Sequence, residues 1–104
     1  MREVVYRPRA ALDIESAVIY VAEVLGNPQA ARRIYNALME GVSRLSDMPT
    51  LGKAFGDVAL HGAGYRSFLV ENYRVFYTYD EDTLTVWRVV HTRRDIDAFE
   101  FVEF

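Results

Sequence analysis

The chain has 104 residues, of which 51% are hydrophobic and 26% are charged, as in an ordinary globular protein, so we expect residues 1–104 to form a single domain rather than a disordered segment. Cysteine is absent, which excludes disulfides and thiolate metal sites. The formal net charge of −3 is not the profile of a general nucleic-acid binder.

The N-terminal segment, MREVVYRPRA, is charged and lacks the apolar core of a signal peptide. No apolar run in the sequence is long enough to span a membrane, so we expect a cytoplasmic protein with no membrane partner. Within this segment EVVYRP is typical of a short β-strand that ends at Pro8, because proline has no N–H to donate to a sheet.

Two amphipathic helices are predicted next, over residues 9–25 and 28–48. Apolar residues recur in both at a spacing of three to four, and these are Ala11, Ile14, Val18, Val21 and Leu25, then Ala31, Ile34, Leu38, Val42 and Leu45. Asp13 lies off the first stripe, on a polar face. Gly26 suits the left-handed position after the first helix, and Asn27 can cap the second. The short GNP joint predicts an antiparallel helical hairpin.

Three β-rich runs follow an irregular, glycine-containing connection over residues 48–64, in which DVALH is a further candidate strand. The runs are YRSFLVE, YRVFYTY and TLTVWRVVH, and the turn residues between them predict an antiparallel meander. Strict alternation divides the last run between two faces, with Trp87, Val89 and His91 on one and Arg88 and Val90 on the other.

The order of these elements predicts an α+β fold. In it an N-terminal strand pairs within a small, twisted antiparallel sheet, and the antiparallel helical hairpin packs on one face of that sheet. The other face is expected to stay relatively open.

A histidine and two arginines stand where the alternation of the last strand stops, in HTRRD. With two arginines of the preceding strands they predict a cationic corner that can bind a target through carboxylate or phosphate groups. The target-binding candidates are Arg66, Arg74, His91, Arg93 and Arg94. Structural alternatives stay open, because Arg94 can pair with Asp95, His91 can be a hydrogen-bonded strand residue and Arg74 can stack on an aromatic ring. Two histidines without thiolates predict no metal site, and nothing indicates a cofactor.

In this order and at these spacings the segments resemble the RelE/ParE superfamily of bacterial type II toxin–antitoxin toxins. The resemblance covers roughly residues 4–95, through AALDIESAVIYVAEVLGNPQAARRIYNAL, LSDMPTLG, YRSFLVENYRVFYTYD and VWRVVHTRRD. The pattern from Asp13 to Tyr20, the pair Pro49 and Gly52, and the RVVHTRRD ending are more similar to the ParE branch. This resemblance implies the toxin of a plasmid or chromosome stabilisation module, which binds a protein target such as DNA gyrase and is neutralised by a cognate antitoxin.

The resemblance also leaves open a RelE-like, ribosome-dependent mRNA endonuclease (an mRNA interferase), so whether the protein is an enzyme is undecided at this stage. That activity implies Arg74 and Arg93 as the groups that neutralise the scissile phosphate and His91 as a proton carrier. Phe99 stands where the nuclease carries a tyrosine, and Lys53 is the only lysine, so these departures favour binding over catalysis. A decayed toxin that keeps only antitoxin binding is a third alternative.

Antitoxins of this superfamily typically wrap a disordered segment around the toxin, which implies an apolar binding surface. The antitoxin-binding candidates are Tyr20, Phe99, Phe101 and Phe104. The tail DAFEFVEF that holds the three phenylalanines can instead pack back on the sheet. Because few charge pairs are available, we expect the affinity to change little with salt. A homodimer and a toxin–antitoxin hetero-oligomer are both compatible with the sequence.

Overall fold

The protein is described here by a computed structural model that covers residues 1–54 and 64–93. In chain order the elements are β1 (Glu3–Tyr6), α1 (Pro8–Ile19), a π-helical turn (Tyr20–Val24), α2 (Pro28–Asp47), a 3-10 turn (Pro49–Leu51), β2 (Lys53–Ala54), β3 (Arg66–Val70), β4 (Tyr73–Tyr79) and β5 (Thr83–His91). The candidate strand DVALH lies outside the described residues. Within the described ranges no helix is long and apolar enough to cross a membrane.

The predicted α+β fold is confirmed, with one difference in strand direction. The strands form one five-stranded sheet in the order β1-β5-β4-β3-β2. Neighbours are antiparallel except for β1, which runs parallel to β5 from Glu3 opposite Thr83 to Tyr6 opposite Val86. The sheet is therefore mixed rather than antiparallel throughout. Tight turns force the direction of β4 and β5, whereas the long connection after β1 leaves its direction to tertiary packing.

The main core lies between the helical hairpin and one face of the sheet. It joins side chains of α1 and α2 to the inward side chains of β3, β4 and β5, including Leu38, Leu45, Val75, Tyr77, Leu84 and Val86, which are all fully buried. Gly41 of α2 permits the close approach of helix and sheet, because a Cβ there would lie 2.7 Å from Cγ2 of Val70 in β3. The helices thus cover one face, as predicted. The prediction that the other face stays relatively open is wrong, because Phe76 and Val90 pack there and are 0% and 4% exposed.

A β-bulge in β5 removes Trp87 from the face that it was predicted to share with Val89 and His91, so the predicted alternation is wrong at Trp87. Phe76 of β4 lies opposite Arg88, but the next residue lies opposite Val86, so Trp87 is an extra residue in the ladder. Val86 and Val89 both enter the main core, whereas Trp87 packs with Phe76 on the other face together with Val90. Because side chains alternate with a period of two, one extra residue moves every later side chain to the opposite face.

The π-helical turn has the same effect at the end of α1. The N–H of Leu25 donates to the carbonyl of Tyr20 at 3.1 Å, which closes a turn one residue longer than an α-helical turn. Val21 stays in the core, but Leu25, the last residue of the predicted apolar stripe, is 59% exposed. The rest of the joint is confirmed. Gly26 has a φ of 64°, and Asn27 Oδ1 accepts from the N–H of Ala30 at 3.0 Å.

Candidate functional site

His91 and Arg74, two of the predicted site residues, lie on opposite faces of the sheet. His91 is opposite Tyr73 in the β4–β5 pair, and their rings meet edge to face with centroids 5.3 Å apart on the helix side. Arg74 follows Tyr73 in β4 and is exposed on the other side, opposite Val90 and Leu69. The predicted cationic corner therefore does not form on one surface, because the bulge turns His91 away from Arg74.

Arg66 lies farther along the sheet and is held by the backbone. It is opposite Tyr77, four residues along β4 from Tyr73, which corresponds to about 13 Å along the strand. Its guanidinium donates to the carbonyl of Gly52 at 2.5 Å and to that of Thr50 at 3.3 Å. Arg66 thus anchors the 3-10 turn, apart from the end of β5.

Arg93 is the predicted site residue that stays beside His91. Its backbone N–H donates to Nδ1 of His91 at 3.1 Å, which leaves Nε2 as the N–H donor of a neutral ring. The side chain of Arg93 is exposed. The other predicted site residues, Arg94, Phe99, Phe101 and Phe104, lie outside the described residues.

His91 lines a cleft of about 360 Å³ at the tip of the helical hairpin. Four segments enclose this hairpin-tip cleft: the π-helical turn with Leu25, the start of α2, the β3–β4 turn and the end of β5. Tyr20, Leu25 and Tyr73 contribute apolar surface to its walls. At its rim the Arg33 guanidinium donates to the Glu71 carboxylate in an ion pair. Burial raises the pKa of the Tyr73 hydroxyl, so this wall of the cleft stays uncharged at neutral pH.

An apolar strip on the hairpin continues from the cleft. It consists of Ile19, Tyr20, Val24 and Leu25, which are between 46% and 67% exposed. Single exposed apolar residues are ordinary, but four large ones within seven residues form a patch of the kind found at protein–protein contacts. Tyr20, the predicted antitoxin-binding residue, belongs to this strip and also lines the cleft.

A buried ion pair that the sequence patterns did not predict joins α1 to β5. Arg88 is 1% exposed, and its Nε and Nη2 donate to Oδ2 and Oδ1 of Asp13 at 2.7 and 3.2 Å. Oδ2 also accepts from the N–H of Val89 at 3.0 Å. This N–H lies beyond the end of β1, whose pairing with β5 stops at Val86. Asp13 is therefore not on a solvated polar face. The signal in the sequence was an arginine inside the apolar run VWRVV, since a buried charge needs a partner.

The segment that holds Pro49 and Gly52 is fixed by a second buried polar group. The hydroxyl of Tyr77 donates to the carbonyl of Pro49 at 2.5 Å and accepts from the N–H of Gly52 at 3.0 Å. A Cβ on Gly52 would lie 2.3 Å from this hydroxyl, so glycine is required there. Burial raises the pKa of Tyr77, although the Gly52 N–H and Arg66 act in the opposite direction. Within residues 1–54 and 64–93 no group of three or more histidine or acidic residues is placed to hold a metal ion.

The comparisons with known proteins agree with the fold. The family model described as the ParE toxin of type II toxin–antitoxin system, parDE, matches residues 4–96. The chain is similar to a solved structure of the chromosomal ParDE TA system from P. aeruginosa, with a TM-score of 0.68, 17% identity, and coverage of 88% of this chain and 96% of that chain. It is also similar to the toxin–antitoxin complex RelBE2 from Mycobacterium tuberculosis, with a TM-score of 0.63, 24% identity, and coverage of 86% and 96%.

A search of curated protein sequences found no match. The family match nevertheless spans most of the chain, including both helices and strands β3 to β5. The resemblance inferred from the sequence is therefore confirmed, and the protein belongs to the ParE toxin family of type II toxin–antitoxin systems.

Proposed function

We propose that the protein acts in the cytoplasm by binding a protein target such as DNA gyrase, and that a cognate antitoxin neutralises it. Its membership in the ParE toxin family supports this proposal. The similar solved structures, a ParDE system and a RelBE2 complex, are both toxin–antitoxin systems, which supports an antitoxin as the partner.

The observation that carries binding rather than RNA cleavage is the separation of Arg74 from His91. RelE-like cleavage needs cationic groups and a proton carrier within hydrogen-bond reach of one phosphate. Arg74 is on the face of the sheet opposite the helices, whereas His91 lines the hairpin-tip cleft on the helix side. Arg93 stays close to His91, but a phosphate bound beside these two residues has the sheet between it and Arg74.

The structure also supports an assignment of separate residues to the target and to the antitoxin within the proposed function. Arg93 and His91 lie at the end of β5, and Arg74 is exposed on the face opposite the helices, so each can contact a protein target separately. The backbone bonds of Arg66 give that residue a structural role that competes with target binding. The apolar strip, with Tyr20 at its centre, is the proposed antitoxin surface.

A pair of reactions with the purified protein tests this proposal. We expect it to inhibit DNA supercoiling by gyrase, to leave mRNA intact on translating ribosomes, and to lose the inhibition when the antitoxin encoded beside it is added. Arg93→Ala should weaken inhibition, and Arg32→Ala, which removes an exposed arginine of α2, is the matched control.

Three outcomes would contradict the proposal in different ways. Codon-positioned mRNA cuts that disappear in Arg74→Ala and Arg93→Ala would establish the RelE-like endonuclease. Harmless expression in cells that lack the antitoxin, with antitoxin binding retained, would establish a decayed toxin. Equal effects of Arg93→Ala and Arg32→Ala would show that target binding does not depend on the end of β5.

A further inference from the structure

Two inserted residues, one in a helix and one in a strand, each redirect a side chain toward the hairpin-tip cleft. The first produces the π-helical turn at Tyr20–Val24, and the second is the bulge residue Trp87 in β5. The two insertions are far apart in the sequence, yet Tyr20 and Leu25 on one side and His91 on the other line the same cleft.

Each insertion changes the direction in which one side chain points. In a regular α-helix Leu25 would continue the stripe of Ile14 and Val21 into the core, but the longer turn leaves it 59% exposed at the cleft. In a regular strand the inward alternation of Leu84 and Val86 would pass to Arg88 and Val90, and His91 would be on the face opposite the helices. The bulge turns His91 to the helix side instead, against the ring of Tyr73.

Irregularities of these two kinds disturb regular hydrogen bonding, and both are frequent at functional sites. Here the ion pair of Asp13 and Arg88 joins α1 to the bulge in β5, and α1 continues into the π-helical turn seven residues after Asp13. The helix that leads into one wall of the cleft is therefore fixed to the strand that carries His91. This arrangement indicates a preformed site rather than a gap left by imperfect packing.

We propose that the hairpin-tip cleft receives a bulky apolar side chain of the antitoxin, with the apolar strip covered by the residues around that anchor. This inference rests on the proposed function. A volume of about 360 Å³ has room for one large side chain, and it lies at the small end of the range for ligand sites. The strip extends the apolar surface beyond the cleft to Ile19 and Val24, which suits a protein segment rather than a small molecule.

The charges at the cleft specify the partner further. Arg33 and Glu71 neutralise each other at the rim, and Tyr73 is uncharged. The rim ion pair thus offers no net attraction to a charged group, so the anchor is expected to be leucine or an aromatic residue without an adjacent charge pair. Its contribution to affinity comes from burial and is insensitive to salt.

A matched pair of leucine variants tests the proposal. Leu25 lines the cleft and is 59% exposed, whereas Leu69 lies on β3 and is 55% exposed, so both truncations remove the same group from similar solvent exposure. The probe is the purified antitoxin encoded beside the toxin, titrated by calorimetry. We expect Leu25→Ala to weaken binding at least tenfold and Leu69→Ala to change it less than twofold. Equal effects, or no effect of Leu25→Ala, would overturn the proposal.

Deletion of Ala22 tests the role of the π-helical turn itself. The shortened turn can close as an α-helix, which returns the side chain of Leu25 to the core register. We expect the deletion variant to melt at the same temperature as the wild type or higher, and to bind the antitoxin at least tenfold more weakly. Unchanged affinity in a folded deletion variant would overturn the proposal, and an unfolded one leaves the leucine pair to decide.

The controls separate this proposal from the function on which it rests. A wild-type protein that forms no complex with the antitoxin refutes both. Wild-type binding with equal effects of the two leucine variants refutes only the cleft. Leu25→Ala that binds antitoxin normally but no longer inhibits gyrase would assign the cleft to the target, and would equally overturn the antitoxin as its occupant.

Discussion

Removal of the Asp13 carboxylate is expected to be the most damaging single change at the interface between α1 and the sheet. Asp13→Ala deletes both hydrogen bonds from Arg88 and the acceptor of the Val89 N–H. Arg88 is 1% exposed, so its charge cannot reach water without a movement of β5 or α1. The variant therefore removes the Asp13 carboxylate from a buried cation.

The size of the effect follows from that burial. Breaking a buried ion pair by removing one partner costs about 3–5 kcal/mol. The Asp13 side chain is 12% exposed, and Arg9 lies 3.7 Å from it, so the carboxylate is partly screened and a value near the lower end, about 3 kcal/mol, is expected. A domain of this length has a total stability of roughly 5–15 kcal/mol, so the loss is a large fraction of it. The melting temperature should fall by on the order of 15 °C.

The control is the double variant Asp13→Ala/Arg88→Met, which removes both charges of the pair. Because an apolar side chain of similar length replaces the guanidinium, much of the lost stability should return, and the double variant should be more stable than Asp13→Ala alone. Urea unfolding followed by circular dichroism gives the free energies for the wild type, both single variants and the double variant. A loss below about 1 kcal/mol in Asp13→Ala would show that the pair is solvated, as expected of an exposed ion pair, and would refute the reasoning.

Three further predictions concern the buried tyrosine and the antitoxin. Tyr77→Phe should cost about 1–3 kcal/mol in urea unfolding, because the buried Gly52 N–H loses its acceptor; an unchanged free energy would mean that water replaces the hydroxyl. Burial raises the pKa of Tyr77 above its ordinary value of 10.0, so the folded state holds this proton more tightly than the unfolded state. The free energy of unfolding should accordingly be unaffected by this group below about pH 10 and fall as the pH rises further, with a slope of at most about 1.4 kcal/mol per pH unit that is absent in Tyr77→Phe. A wild type and variant with the same alkaline slope would contradict that assignment. The affinity of the protein for its antitoxin should change little between low and high salt; a loss of several decades at high ionic strength would show that arginines, and not apolar burial, carry the complex.

Local signals account for the parts of the fold that were predicted correctly. The helical hairpin depends on Gly26, Asn27 and Pro28, whose conformational preferences act within one turn of helix, and on an apolar period that is visible over each helix separately. The β3–β4 and β4–β5 hairpins likewise depend on turn residues between two adjacent strands. The family resemblance arises from the same short segments, so it could also be inferred from the sequence alone.

The candidate site was predicted less well, because it depends on two irregularities. A π-helical turn and a β-bulge each add one residue to a periodic pattern, and no residue type in YVAEV or VWRVV marks that addition. A regular helix and strand fit these segments equally well when each is taken alone. Arg88 inside an apolar strand was the one visible sign that the strand is irregular, and its partner Asp13 is 75 residues away.

The sequence by itself determined the two helices and strands β1, β3, β4 and β5, because turn chemistry and apolar periodicity act over a few neighbouring residues; β2, inside the predicted irregular connection, was missed. Only the tertiary structure decided that β1 runs parallel to β5 and that Leu25 is exposed. It also decided that His91 lines the cleft and does not lie on the same face as Arg74. Those outcomes depend on which register lets the whole hairpin pack on the whole sheet. Contacts between distant elements offset the cost of an extra residue. At the bulge in β5, Arg88 and the Val89 N–H donate hydrogen bonds to the carboxylate of Asp13.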